Sequence, residues 1–405
     1  MITGEENIQF IAEHFPAVVP EFGKIGLGHY FNKENLIKIG RYTRINTLLK
    51  SAGIDSAQFI LLLNGLINDD LTAADPGNEK DQHLHFMAML PCGLRNPFKD
   101  FLEAHLLENK EEYKELNYLA EGNVNHELSY YPLLDDIESI DELPDIIIAS
   151  DVNNFFHKPF VTRFIETNIF QAYKPYPVNQ YLKEAGFPDP SGHYTMLTAN
   201  MLVMAVDETR LGKNRMPEQW ADLLLPAFEN EIIMRGEDDF FCNAVMLPFF
   251  KDHGFEAIRI LSRQIRCGKH PAEMVKLADT GNESAATIYI LPYFFAQRIK
   301  NKKIKIVWPR DGAIASPVFL LVKNDTMEKH RPLLDFLLSK ETGEMFVKRS
   351  FPSVNPEVEN PFPQQLKWLG WDFLTAHDIG KIKHEIQQVF MNGWMPKQNI
   401  SDEKK

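Results

Sequence analysis

Several short stretches of this chain set chemically capable side chains where the sequence pattern changes from strand to helix. In LPCGLRNPF, Cys92, Arg95 and Asn96 follow an alternating apolar run, HLHFMAM, and lead into a helical segment, FKDFLEAHLLEN. α/β proteins keep ligands at such strand-to-helix junctions. Asn96 before Pro97 has the form of a helix N-cap and first turn, whose N–H groups and dipole favour an anion. Arg95 would add a bidentate clamp, or is a solvated charge; Cys92 touches the ligand, or is a small buried hydrophobe. No sequence feature supplies a base to make that thiol a nucleophile.

A second stretch, IASDVNNFFHKPF, closes an apolar run with Ser150, Asp151, Asn153 and Asn154, which either reach a ligand or cap the next helix. In GEDDFFCNAVML, Asp238, Asp239 and Asn243 surround the start of a long helix, and Phe240 and Phe241 are available to cover an organic ligand. Aspartates there also serve as ordinary dipole partners, and Cys242 reads as core. In AATIYILPYFFAQR, Tyr289 offers a hydroxyl and Tyr293 reads equally as packing. Asp311 with Gly312 shapes a turn or touches the ligand from its rim. His83 and His85 alternate toward one face, with His126 further on, but a metal would need a fixed carboxylate beside them.

These residues need a scaffold, and the composition supplies a large one. The chain has 405 residues, 44% of them hydrophobic and 11% aromatic, enough for two or three globular domains. A formal charge of −13 and the lack of a basic stripe argue against nucleic acid as a partner. No run approaches the roughly 18 apolar residues that span a bilayer. The start, MITGEENIQF, has no signal-peptide form, so the expected location is cytoplasmic if Met1 is the native start and extracytoplasmic if a leader has been removed. Three cysteines without a CxxC give neither a disulfide framework nor a structural zinc site, and no cofactor is implied.

The rhythm along the chain divides it. Residues 1–75 read as a small helical module: IQFIAEHF, AVVPEFGKIGL, NKENLIKIG beginning at a cap-like Asn32, TRINTLLKSAG ending at Gly53, and SAQFILLLNGLI capped by Asp55. A polar linker, NDDLTAADPGNEKDQ, follows. From residue 81 strands alternate with helices: HLHFMAML, LNYLAEGN and DIIIAS, then TMLTANMLVMAV, EIIMRG, AATIYI, KIKIVWP and PVFLLVK. PEQWADLL reads as a helix with Pro217 in its first turn and Trp220, Leu223 and Leu224 on one packing face. RPLLDFLLSKETGEMFVK reads as one amphipathic helix.

Three of these segments resemble the type II periplasmic solute-binding proteins of ABC transporters, in the branch associated with ferric iron and phosphorylated sugars. They are MPEQWADLLLPAFENEIIM, WPRDGAIASPVFLLVKN and PLLDFLLSKETGEMF, and the resemblance covers roughly residues 81–350. It implies a two-lobed α/β fold, with lobe 1 at 81–190 and 309–350 and lobe 2 at 194–305. Residues 351–405 would pack back on a lobe, and the all-α module would stand at the N-terminus. Iron-binding members place adjacent tyrosines near AATIYILPYFF; here Leu291 and Pro292 hold the nearest register, and Tyr289 and Tyr293 are separated by three residues. The helical module is similar to small domains of unknown function with a Phe-Pro...Phe-x-x-x-Gly pattern, here Phe15, Pro16, Phe22 and Gly26.

The implied function is capture of a small polar or anionic solute between two lobes by closure about crossover strands near 191–200 and 308–316, without bond chemistry. The partners implied are that solute, an ABC permease, or a protein docking on the helical module. The same fold serves cytoplasmic enzymes of thiamine and menaquinone synthesis; an enzyme would draw on His126, His157 or Cys92. Fold analogy alone does not decide between these readings.

Overall fold

The computed structural model describes residues 1–67, 83–122, 130–237, 240–363 and 365–402, with side chains to Trp394. It divides into two compact units. The first comprises Met1–Ala149, Asn153–Ala172 and Leu320–His330; the second comprises Ser150–Val152, Tyr173–Phe319 and Arg331–Lys405.

The first unit opens with five helices, α1 (Ile8–His14), α2 (Val19–Lys24), α3 (Lys33–Ile39), α4 (Ile45–Ser51) and α5 (Ser56–Ile67). Their starts follow the capping residues: Asn32 accepts from the Asn35 N–H, and Asp55 from the Gln58 N–H. Phe22, fully buried, packs its ring 4.5 Å from Phe31 and 5.3 Å from Phe59. These helices do not form a unit of their own. Thr47 on α4 donates to the buried carboxylate of Glu142 at 2.6 Å, and Lys50 pairs with Glu138 at 2.7 Å. Glu142 is pushed above the ordinary carboxylate range by burial, with the Thr47 bond opposing. The linker 68–82 lies outside the described residues.

Strand β1 (Phe86–Leu90) lies between β2 (Tyr118–Gly122) and β3 (Ile146–Ser150), all parallel, with Phe86 opposite both Tyr118 and Ile146. β1 and β3 are buried at every position, as their unbroken apolar sequences require of strands covered on both faces. Helix α6 (Arg95–Glu108) follows β1.

In the second unit, β4 (Thr195–Asp207) runs antiparallel to β7 (Ile288–Pro292) and β8 (Ile304–Val307). β5 (Ile232–Met234) lies parallel between β7 and β6 (Ile265–Gly268). β9 (Ala313–Val322) flanks β4 and carries the short β10 (Leu366–Lys367); its last three residues belong to the first unit. Gly312 makes the β10 approach possible. It has φ +97°, and a Cβ there would stand 2.7 Å from backbone atoms of Leu366 and Lys367.

Residues 173–190 and 331–350, expected in the first lobe, cluster with the second unit. Hydrogen bonds from the hydroxyls of Tyr173 to Asp335 and of Tyr176 to the Leu338 carbonyl join them. The terminal helix Ile379–Asp402 lies along the helical segment Asn243–Gln264, which kinks at Gly254, with Phe390 and Trp394 against Phe241. Two expected helices differ. The Trp220 segment is a 3-10 helix, Trp220–Leu224, capped by Gln219 and Asp222, so Pro217 lies outside it. The 331–348 segment breaks into Arg331–Leu337 and Lys340–Lys348, because the Ser339 hydroxyl caps the Thr342 N–H.

Candidate functional site

The second unit gathers several polar groups at the carboxyl end of β3, the end of β5 and the start of the long helix. Ser150 is buried, and Asp151 adopts φ +70°, a conformation that costs a non-glycine residue energy unless its surroundings enforce it. The enforcement is visible. The Asp151 N–H donates to the Pro317 carbonyl at 2.8 Å, and its carboxylate accepts from the Val152 N–H at 2.8 Å and the Ser316 hydroxyl at 3.2 Å.

The Cys242 thiol feels the charges of both Asp151 and Arg235. Burial pushes the Cys242 thiol up to about 11, with Asp151 adding to the rise and Arg235 opposing it. A thiol held protonated in this way is no nucleophile near neutral pH. Arg235 directly follows β5. Glu237 N–H donates to the Phe240 carbonyl at 2.9 Å, and Cys242 N–H to the Arg235 carbonyl at 3.0 Å. Among the described residues Arg235 has no carboxylate partner; His270 is also within its field, lowered by burial first and by Arg235 next.

Asn243 begins the long helix, and its side-chain oxygen is buried with no hydrogen-bond partner. The oxygen of Asn200 is in the same condition, and Asn200 is the one position of β4 that is not fully buried. Buried polar atoms are normally paired, and these two oxygens share the exception with side-chain atoms of Ser56, Tyr130, Gln264 and Trp368.

The remaining sequence candidates disperse. Cys92 is exposed, and Arg95 pairs with Glu121 at 2.6 Å within the first unit. α6 starts at Arg95 with Leu94 as its N-cap, so Asn96 is an exposed residue of the first turn and makes no cap. Asn153, in the first unit, accepts from the Phe155 N–H and caps a short turn. Phe241 is 1% exposed and belongs to the core under the terminal helix. Tyr289 is fully inside β7, its oxygen accepting from the Ala286 N–H at 3.0 Å, and Tyr293 stacks edge-on with Trp308 and Phe362. Asp311 accepts from the Trp220 N–H and from Lys367, both at 3.2 Å. Asp238, Asp239 and His126 lie outside the described residues.

Of the histidines, His83 and His330 hydrogen-bond Asp145, while His157 bonds Asp135 at 2.9 Å. Among the described residues no three His, Cys, Asp or Glu side chains are gathered to hold a metal. No described helix is long and apolar enough to cross a membrane. Arg235, Ser316 and Asn200 escaped the sequence reading. Arg235 had a signal, since it directly follows the apolar IIM of EIIMRG at a strand's carboxyl edge; the other two are isolated polar residues within mostly apolar runs.

Comparison with known proteins fixes the class. The family model for bacterial extracellular solute-binding proteins matches residues 141–377, and the chain belongs to that family. No curated protein sequence matches it. Among solved structures it is similar to a Trichodesmium protein in complex with iron and citrate, at 13% identity and TM-score 0.55, over 76% of this chain and 98% of that one. A Bordetella ferric binding protein gives 13% and 0.52, over 76% and 98%. A ferric binding protein from Campylobacter jejuni gives 14% and 0.50, over 77% and 98%. At these identities the likeness establishes the α/β periplasmic-binding-protein fold, to which this chain adds its N-terminal helices.

Proposed function

We propose that the chain captures a small polar or anionic solute at the cluster of Asp151, Arg235 and Asn243, serving an ABC-type uptake system or a ligand sensor. The observation that carries this reading is the orphaned Asn243 oxygen at the start of a helix that breaks at Gly254, next in sequence to a thiol in the field of Arg235 and Asp151. A guanidinium without a carboxylate partner among the described residues supplies a donor fork for an anionic group, while the Asn243 oxygen awaits a donor on the solute. The relatives' ferric iron is a poor direct cargo for a tyrosine pair here, because Tyr289 is committed to the Ala286 N–H and Tyr293 to aromatic packing. An organic anion, free or chelating a metal, suits Arg235 better.

The reading needs no bond chemistry. It retains the lobe closure that the sequence suggests, for which a smaller radius of gyration on saturation is the measure. Native mass spectrometry of freshly purified protein identifies the co-purified solute, and titration with the recovered molecule should lose about tenfold in affinity or more in Arg235→Met. Citrate and ferric citrate provide defined probes. Comparable affinity supports recognition of the anion, whereas an absolute requirement for iron, or an Arg235→Met variant binding like the wild type, overturns the reading.

A further inference from the structure

The first unit contains a groove of about 590 Å³ between α1, α3 and β2, well away in sequence from the cluster assigned above. Its volume is that of a small-molecule site. Apolar side chains line part of it: Leu36, Ile37, Leu84 and Leu119. Ile37 is 68% exposed, which leaves a large aliphatic group facing solvent on the helix that lines the groove. The charged lining is lopsided, with Lys33, Lys38 and Arg41 against Glu13, on a chain whose total charge is −13.

The three cations are not equivalent. Lys38 is already engaged, by Glu34 at 2.5 Å and Glu121 at 3.5 Å. Arg41 donates only to the neutral Gln9 amide at 3.1 Å, and among the described residues neither Arg41 nor Lys33 has a carboxylate partner. Lys33 and Ile37 stand four residues apart on α3, hence on one face, and Arg41 follows just beyond the helix end. An aliphatic wall bordered by two unneutralised cations is complementary to a molecule with an apolar body and one negative end. A neutral lipid would leave the cations unused, and a compact inorganic anion would leave the apolar wall wet.

We propose that this groove is a second binding site, which takes a small amphipathic carboxylate such as a medium-chain alkyl or aryl acid. Its apolar body rests on Leu36, Ile37, Leu84 and Leu119, and its carboxylate is held by Arg41 and Lys33. The site is independent of the solute cluster, so either can fail without the other.

The test is fluorescence titration of the full chain with anilinonaphthalene sulfonate, followed by displacement with decanoate, decanol or decyltrimethylammonium at fixed ionic strength. Decanoate should displace the probe about tenfold better than decanol, and the double variant Lys33→Glu, Arg41→Glu should lose that advantage. Both side chains are exposed, so the melting temperature should hold. Arg41→Lys should keep most of the affinity. Arg235→Met, which weakens solute capture, should leave decanoate binding unchanged. Equal displacement by the three decyl compounds, wild-type decanoate binding in the charge-reversed variant, or failure of decanoate to displace the probe overturns the proposal. Displacement of decanoate by an acidic peptide at lower concentration would also overturn it and assign the groove to a protein partner.

Discussion

The Asp145 carboxylate draws together groups distant in sequence. His83 Nε2 stands 2.7 Å from one oxygen, His330 Nε2 3.0 Å from the other, and Lys323 Nζ 3.5 Å away. Burial alone would raise this carboxyl, but the His330 and His83 hydrogen bonds, with the Lys323 charge, hold it well below the usual carboxylate range. A depressed folded-state value means stability that is present above the unfolded value of about 4 and is lost as pH falls toward the folded one. Asp145→Asn should therefore cost about 3 kcal/mol at neutral pH, since it strands the buried Lys323 charge. Urea denaturation across pH 2–5 should show a flatter profile in the variant than in the wild type; parallel profiles would remove Asp145 as the source of acid sensitivity. The sequence exposed the alternation of His83 and His85 but not this carboxylate, because the partners come from opposite ends of the first unit's chain segments.

Local pattern determined most of the elements, and their interruptions came from single side chains. Mostly apolar runs marked β3 and β4, and capping residues marked α3 and α5. The helix expected through 331–348 breaks because the Ser339 hydroxyl captures a backbone N–H, a competition invisible to hydrophobic periodicity. Phe241 was misread for a related reason. Its place in GEDDFFCNAV suits a ligand cover, but the ring lies 4.6 Å from Phe390 and 4.9 Å from Trp394 on the terminal helix. That helix comes close because residue 393 is glycine; a Cβ there would stand 2.1 Å from the Ser262 hydroxyl. Phe390→Ala should open a cavity at this seam and cost about 3 kcal/mol or more. Thermal unfolding followed by tryptophan fluorescence reads the loss, and an unchanged melting temperature would mean the seam contributes little.

At the scale of the molecule, the family and fold were legible from the wording of three segments, whereas the partition was not. Order along a chain does not show that residues 173–190 and 331–350 are tied to one another by Tyr173 and Tyr176. The two compact units should unfold with limited coupling. Calorimetry is expected to give two resolvable transitions, with Asp145→Asn lowering the one that belongs to the first unit and Phe390→Ala the other. A single two-state endotherm shifted equally by both substitutions would contradict this.

Asp145 also sets a timetable for synthesis. Its partner His330 follows it by 185 residues, which a ribosome working at about 5–20 residues per second needs roughly 10–40 seconds to add. Throughout that interval the nascent carboxylate has neither Lys323 nor His330 available and must stay hydrated. The Asp145 cluster of the first unit is thus completed only after most of the second unit's strands have been made.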